Sequence, residues 1–484
     1  MTKAEETSSK KVLVWFRKDL RLTDNPCLAK AVEHDLEIVP VFIWSPDLGG
    51  DWRIGEASRW WLQRTLENLS EDISGQGGTF IFERGRPEDL LPGLAHKYGC
   101  GNVYFSRSYD PSGREQEEQV KSRLHSEKLR YETFKTSLLV EPREALNKSG
   151  KPFQVFTPFW RSNRQCIFEE PQSYSSSNLH FTKNIRSALG LNDLGIMPKH
   201  SWHNKLDQHW DTSARGARKL LARLRGELTE KYSHRRNIPE LDATSRLSPY
   251  LAWGNVSPRE VCKAVLSSDN QSSRRGENKF LAEIGWREFS HHLLYHFPKT
   301  PNEPLRSKYA SFPWRNDSKA LNLWQKGQTG YPLVDAGMRQ LWETGWMHNR
   351  VRMVVASFLV KHLLQPWLDG ARWFWDTLVD ADLASNTQGW QWTAGCGADA
   401  APYFRIFNPF GQGEKFDSKG NYVRRWVPEI AKLPAKYVHQ PWRAPSQVLE
   451  ESSVTLGKIY PYPIVDHSEA RHEALKALQA LPKE

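Results

Sequence analysis

KVLVWF (11–16), RKDLRLTDN (17–25) and LEIVPVFIW (36–44) decide the fold between them. After Lys11 and Glu37 respectively, the two apolar runs continue for the length of a strand without a polar residue. Strict alternation would suit a sheet with one wet face, whereas an unbroken run suits a strand covered on both faces, as in parallel α/β sheets. Working outward, TFIFERG (79–85) and NVYFSRS (102–108) read as two more such strands. GEASRWWLQRTLENLSEDI (55–73) places Ala57, Trp61, Leu62, Thr65, Leu66 and Leu69 on one helical stripe, and a further helix is expected over 113–127. Buried strands alternating with amphipathic helices predict an α/β domain with a Rossmann-like parallel sheet over 11–140.

Past residue 140 the periodicity fades. Residues 141–205, including SYSSSNLH (173–180), are too long for an ordinary connection and are expected to form an interdomain linker over the surface. Over 206–478 apolar residues recur at helical spacing, in 213–230, 278–297, 333–343, 346–364 and 370–379, which predicts a larger all-α domain. No internal repeat interrupts this order. The opening MTKAEETSSKK lacks the apolar core of a signal peptide, so a cytoplasmic protein is expected.

Composition narrows the function. The 484 residues carry 67 Lys+Arg against 56 Asp+Glu, a net charge of +11 that suits nucleic acid but often serves only solubility. The 21 tryptophans equal the phenylalanines in number, which excludes disorder and asks for flat aromatic surfaces: a flavin, bases, or a large core. No apolar run approaches the ~20 residues of a membrane helix. The five cysteines (Cys27, Cys100, Cys166, Cys262, Cys396) form no CxxC, so neither a disulfide framework nor a zinc site is expected. GQGG (75–78) and GCGA (395–398) lack the dinucleotide fingerprint, no phosphate-loop or GxSxG motif occurs, and His292 and His296 sit in no HExxH. Any demanding chemistry then belongs to a cofactor.

Four helical-domain segments concentrate unusual residues. In ATSRLSPYLAWGNVSP (243–258), Thr244, Ser245 and Ser248 open a helix beside Arg246, either as an anion cradle or as a plain cap. In NKFLAEIGWREFSHHL (278–293), Phe280, Glu283 and Arg287 share a face next to Trp286. A carboxylate among aromatics is desolvated toward its protonated form, although a surface Glu283–Arg287 pair fits the same spacing. In TGWMHNRVRMVVASFL (344–359), Trp346, Asn349, Arg352 and Met353 fall on one stripe, too polar for core, while Arg350 points elsewhere. In VDADLASNTQGWQWTAGCGADAAPYFRIFNP (379–409), Asp380 and Asp382 are too few oxygens for a hard metal, so pairing with Arg352 is expected; Asn386, Trp390 and Trp392 follow.

With WFRKDLRLTDN (15–25), these segments resemble the photolyase/cryptochrome family over 11–470, nearest in motif to cyclobutane pyrimidine dimer (CPD) DNA photolyases. The resemblance rests on TSRLSPYLAWG, GWREF, TGYPLVDAGMRQLWETGWMHNRVRM, DADLASNTQGWQW and APYFRIFNP. It implies an antenna pigment in the α/β domain and FAD in the helical domain. It assigns Tyr232, Thr244, Ser245, Arg246, Leu247 and Ser248 to the FAD phosphates and ribityl chain, with Phe280, Arg287 and Trp346 also around the cofactor. Arg352 would pair with Asp380 beside the flavin ring, Asp382 would follow the ring edge, and Asn386 would face N5. Trp390, Trp367 and Trp314 resemble an electron-transfer chain, since indole is oxidisable and polarisable. Trp286 and Trp392 resemble walls around a dimer, Glu283 and Asn349 its hydrogen-bond partners, and Met353 its apolar contact. Arg236, Arg350 and Arg405 match positions that grip the DNA backbone. Glu115 lies near an antenna position, favouring methenyltetrahydrofolate over a deazaflavin or no antenna.

Met353 in place of the histidine of (6-4) enzymes, Asn386 in place of the aspartate of plant-type cryptochromes, and the lack of a long tail after 444–470 favour CPD repair. A blue-light photoreceptor and a (6-4) photolyase are the alternatives. The implied partner is UV-damaged DNA, bound by a monomer with no membrane and no obligate protein partner.

Overall fold

The fold is that of a computed structural model, in which residues 9–198, 200–267, 274–399 and 405–482 are described. Strands β1 (Lys11–Phe16), β2 (Glu37–Trp44), β3 (Ile81–Arg84), β4 (Asn102–Ser106) and β5 (Arg130–Phe134) form one parallel sheet in the order β3-β2-β1-β4-β5. Val14 of β1 stands between Pro40 and Tyr104, so β1 is central and its residues 12–16 are buried. Helices α1 (Pro26–Glu33), α2 (Glu56–Ser74), α3 (Pro87–Tyr98) and α4 (Pro111–Ser126) make the crossovers. The first four strands are the four apolar runs. The fifth, RYETF, is an edge strand whose Arg130, Tyr131 and Glu132 face solvent, so no apolar run marks it. Strand order reverses between β1 and β4, which opens a crevice beyond their carboxyl ends.

Residues 141–205 do more than drape over the surface. Phe159, Ile167, Leu179, Phe181, Leu194 and Ile196 are all buried in the core, and bridges Ile38↔Phe181 and Phe82↔Leu189 return the chain to the sheet. Only α5 (Phe156–Asn163) is a regular helix here; the rest are short 3₁₀ turns with single apolar anchors, which have no period to read.

The helical part follows as α6 (Ala214–Arg223), α7 (Glu227–Arg235), α8 (Ser248–Trp253), α9 (Pro258–Leu266), α10 (Arg274–His296), α11 (Ser318–Gln325), α12 (Pro332–Thr344), α13 (Asn349–Ser357), α14 (Trp367–Thr377) and α15 (Leu383–Ala394), with shorter helices to the C-terminus. The central α10 packs against α5, α7, α9 and α15. Two expected helices are divided. The 213–230 stretch breaks before α7 at Gly226. The 346–364 stretch starts only at Asn349: Gly345 ends α12 in the left-handed region (φ 65°), and His348 caps α13 by accepting from Arg350 N. Trp346 therefore lies in a connection and not on a stripe with Asn349, Arg352 and Met353.

Candidate active site

A cavity of about 650 Å³ opens between α10, α13 and α15. α13 presents Asn349, Arg352 and Met353 to it, three or four residues apart and hence on one face. The Asp382 carboxylate accepts from Ser385 N (2.8 Å) and starts α15, which brings Asn386 and Trp390 to the cavity at successive turns, with Trp392 beside them. α10 contributes Glu283, Trp286 and Arg287.

Its polar side is built around one carboxylate. Arg352 Nη2 donates to both oxygens of Asp380 (2.8 and 3.1 Å), Arg352 Nε donates to Met347 O (2.8 Å), and Ser248 Oγ donates to Asp380 Oδ2 (2.6 Å). Burial works against ionising Asp382, but His291, 3.3 Å away, with Arg287 and Lys18, holds it well below the usual carboxylate range. Asn386 Nδ2 donates to Ala371 O (3.0 Å), which fixes the amide plane. A cavity edged by a guanidinium–carboxylate pair, an amide and a hydroxyl fits the polar rim of an isoalloxazine ring.

Glu283 departs from the expectation of a lone acid among aromatics. Its carboxylate is ion-paired with the Arg236 guanidinium and lies 3.9 Å from Lys279 Nζ. Arg236 also stacks over Tyr232 and lines the same cavity. Nor does Arg287 pair with Glu283; it donates to Ser137 O (2.8 Å) and to Glu288 (3.2 Å). Arg350 lines the cavity and donates to Asn237 Oδ1 (2.9 Å). Arg405 is exposed; residues 401–404 of its motif lie outside the described residues.

Several expected cofactor residues sit outside this cavity. Thr244, Arg246 and Trp346 line a smaller one of about 160 Å³ together with His348, Tyr422 and Arg425. The left-handed backbone at Arg246 (φ 53°) turns this strip aside and lays its guanidinium over Trp346. Ser245 Oγ accepts from Leu247 N, Leu247 is fully buried, and Tyr232 packs on Phe280 in the core. Of the strip, Ser248 alone reaches the larger cavity.

Trp390 and Trp367 are buried in one apolar cluster, with the half-buried Trp314 packed against it. Trp390 meets Phe374 and Trp324 edge-on (5.0 and 6.3 Å). Trp324, absent from the sequence reading, is fully buried and donates to Val355 O (3.1 Å).

The crevice at the carboxyl ends of β1 and β2 is a second cavity, about 280 Å³, closed by residues of the helical part. Trp15, Trp44, Trp52, Trp253 and Trp375 line it. Trp52 Nε1 donates to Asn302 Oδ1 (2.9 Å), and its ring meets Trp375 edge-on. These indoles come from both parts of the chain; Trp15 and Trp253 lie in the quoted motifs WFRKDLRLTDN and TSRLSPYLAWG, but nothing in the sequence shows that they meet. Glu115 is not among them. The buried face of α4 carries Gly113, Gln116 and Val120, of which Gly113 and Gln116 reach the cavity, while Glu115 projects to solvent.

Comparison with known proteins agrees with both halves. Residues 12–175 match the family model "DNA photolyase", and residues 280–480 match "FAD binding domain of DNA photolyase". A deoxyribodipyrimidine photo-lyase of Agrobacterium fabrum is 44% identical over 98% of both chains. The chain belongs to the DNA photolyase family. Cryptochromes share the family: cryptochrome-2 of Arabidopsis thaliana is 38% identical over 97% of this chain and 79% of its own. The crystal structure of a bacterial class III photolyase from Agrobacterium tumefaciens superimposes with a TM-score of 0.93, at 43% identity over 99% of both chains. This photolyase-family chain has no cluster of metal-ligating residues among those described, and among the same residues no helix is long and apolar enough to cross a membrane.

Proposed function

We propose that the protein is a light-driven enzyme that repairs cyclobutane pyrimidine dimers in DNA. The observation that carries this reading is the convergence of Trp286, Trp392, Glu283, Asn349 and Met353 on the cavity that also holds the Arg352–Asp380 pair and Asn386. Relatives that carry the name deoxyribodipyrimidine photo-lyase support it.

A dimer in a duplex must leave the stack to enter a cavity, and basic side chains around the mouth, Arg350 and Arg405 among them, steady the backbone meanwhile. Trp286 and Trp392 offer flat faces to the two linked bases, and Met353 an apolar surface. Glu283, held by Arg236, accepts from a base imide N–H, and the Asn349 amide donates to a base carbonyl. The Arg352–Asp380 edge would hold flavin adenine dinucleotide, which in its reduced form would supply, on illumination, the electron that splits the cyclobutane ring and would take that electron back once the two bases separate. Arg352 and the field that keeps Asp382 ionised set the charge around that edge, and Asn386 sets its hydrogen bonding. Trp390, Trp367 and Trp314 would serve outside the repair cycle, passing an electron inward from the surface to flavin that has become oxidised. The cavity at the sheet's carboxyl edge, walled by indoles, suits a flat light-harvesting guest, with methenyltetrahydrofolate our assignment.

Illumination of dimer-containing oligo(dT) with purified protein tests the reading: the dimers should disappear. Persistence of dimers would favour a photoreceptor, and loss of (6-4) lesions alone would favour the other repair class. Glu283→Ala is expected to lower repair yield while leaving flavin content intact; an unchanged yield would remove Glu283 from the mechanism. The absorption spectrum before and after pigment release reports the antenna, and a flavin spectrum alone would overturn that assignment.

A further inference from the structure

We infer that Phe156, on the segment between the two halves of the chain, is a positioning residue that sets the plane of Trp286, and that Asp399 locks it in place. The inference rests on the reading of Trp286 as a lesion wall.

An indole has two faces. Trp286 borders the large cavity, yet one of its faces is already covered by Phe156, whose ring lies 3.8 Å away and within 9° of parallel. Phe156 does not line the cavity. Trp160 continues the stack behind Phe156 (6.3 Å, 13°). The segment approaches this closely because residue 285 is glycine: a Cβ there would stand 2.6 Å from the Trp160 ring. Phe153 N donates to His292 Nε2 (3.0 Å), which fastens the segment further along α10.

A second tie runs to the loop after α15, the helix that carries Trp392. Asp399 N donates to Gln154 O (3.2 Å), and Phe156 N donates to Asp399 Oδ2 (3.4 Å). Asp399 holds this reciprocal pair from a left-handed backbone (φ 49°). Asp399 thus ties the segment that covers Trp286 to the loop that follows the helix of Trp392. A free Trp286 would sample several rotamers and would have to be ordered by the incoming base; a stacked one is ordered beforehand, which favours binding.

A double-mutant cycle in the dark-binding affinity for a thymine-dimer oligonucleotide tests this. Phe156→Ala should weaken that affinity about three- to ten-fold, the scale of one aromatic pair, while undamaged DNA binds as before and repair per bound dimer is unchanged. Phe156→Tyr should restore it. In a Trp286→Ala background Phe156→Ala should cost nothing further, because the ring it positions is gone. Phe156→Leu and Asp399→Ala, judged at wild-type flavin content, replace Phe156→Ala if that variant folds poorly, and should weaken dimer affinity in the same direction. Wild-type affinity in the Phe156 and Asp399 variants, or a loss that persists undiminished without Trp286, would overturn the inference and leave the site reading standing. Unchanged affinity in Trp286→Ala alone would overturn the site reading itself.

Discussion

Gly370→Ala is the sharpest test of how the indole beside the active cavity is held. Gly370 lies on the inner face of α14, where an added Cβ would stand 2.0 Å from Trp390 Cη2, 2.4 Å from Cζ3 and 2.6 Å from Leu359 Cδ2. Ordinary carbon contacts are ~3.5–4.0 Å, so the indole must retreat by roughly 1.5 Å. Phe374 and Trp324 meet it edge-on and limit the retreat. Two effects oppose each other. Removing a glycine from a helix interior stabilises by ~1 kcal/mol, and overpacking a close-packed core costs ~1–3 kcal/mol. A net loss of ~1–2 kcal/mol is expected. Gly93→Ala supplies the control: Gly93 lies on the exposed side of α3 with nothing within 4 Å of the added atom, so the same change should stabilise by ~0.5–1 kcal/mol. Urea unfolding followed by far-ultraviolet circular dichroism reads both signs. Blue-light reduction of the oxidised flavin should slow in Gly370→Ala, because Trp390 is the proposed cavity-side member of the relay, while enzyme reduced chemically beforehand should still repair. If Gly370→Ala proved as stable as Gly93→Ala, with photoreduction unchanged, the argument that Trp390 is locked by close packing would fail.

Other outcomes follow from the same geometry. Asp380→Asn removes the negative charge and leaves a single acceptor oxygen for Arg352 and Ser248 to share, so stability should fall by ~2–4 kcal/mol and the flavin-to-protein absorbance ratio should drop; full flavin content would argue against this edge as the cofactor's seat. Burial, with His296 and with Arg350 respectively, lowers His292 and His348 to about 4, and each accepts a backbone N–H that requires a neutral ring. Their contribution is complete above pH 6.5 and is lost as pH falls toward 4, so urea unfolding should show a loss of roughly 2 kcal/mol per ring between pH 6.5 and 5; a flat profile would contradict it. Arg405→Ala should weaken damaged and undamaged DNA alike and reduce the salt slope by about 1, whereas Arg236→Ala should leave the slope unchanged because Arg236 is engaged with Glu283. Equal slopes for the two variants would return Arg236 to the DNA surface.

What was legible in the sequence has a physical pattern. β1, β2 and β4 were readable because a strand covered on both faces is apolar nearly throughout, and β3 from the buried apolar start of TFIFERG; RYETF was not, because Arg130, Tyr131 and Glu132 face solvent and leave no apolar run. The Arg352–Asp380 pair was readable because a guanidinium in a polar stripe needs a carboxylate, and one lay in the next unusual segment. The Arg236–Glu283 pair was hidden: its members are 47 residues apart on separate helices, and neither position alone distinguishes a partner from a phosphate. Trp346 was misplaced because a glycine cap breaks a helix without breaking its apolar spacing. Phe156 was invisible because a segment with one short helix and scattered anchors has no period, although it lies flat against the proposed lesion wall.

Residues 380–383 form a wall common to both large cavities. Asp380 and Asp382 line the larger one, Leu383 the smaller, and Ala381 both. At Ala381 the wall is a single residue thick, so two independent adjustments cannot be made there. Any coupling between guests on its two sides is felt equally in both directions. On the proposed assignment of a pigment to one cavity and a flavin to the other, light collection and redox tuning share four consecutive residues.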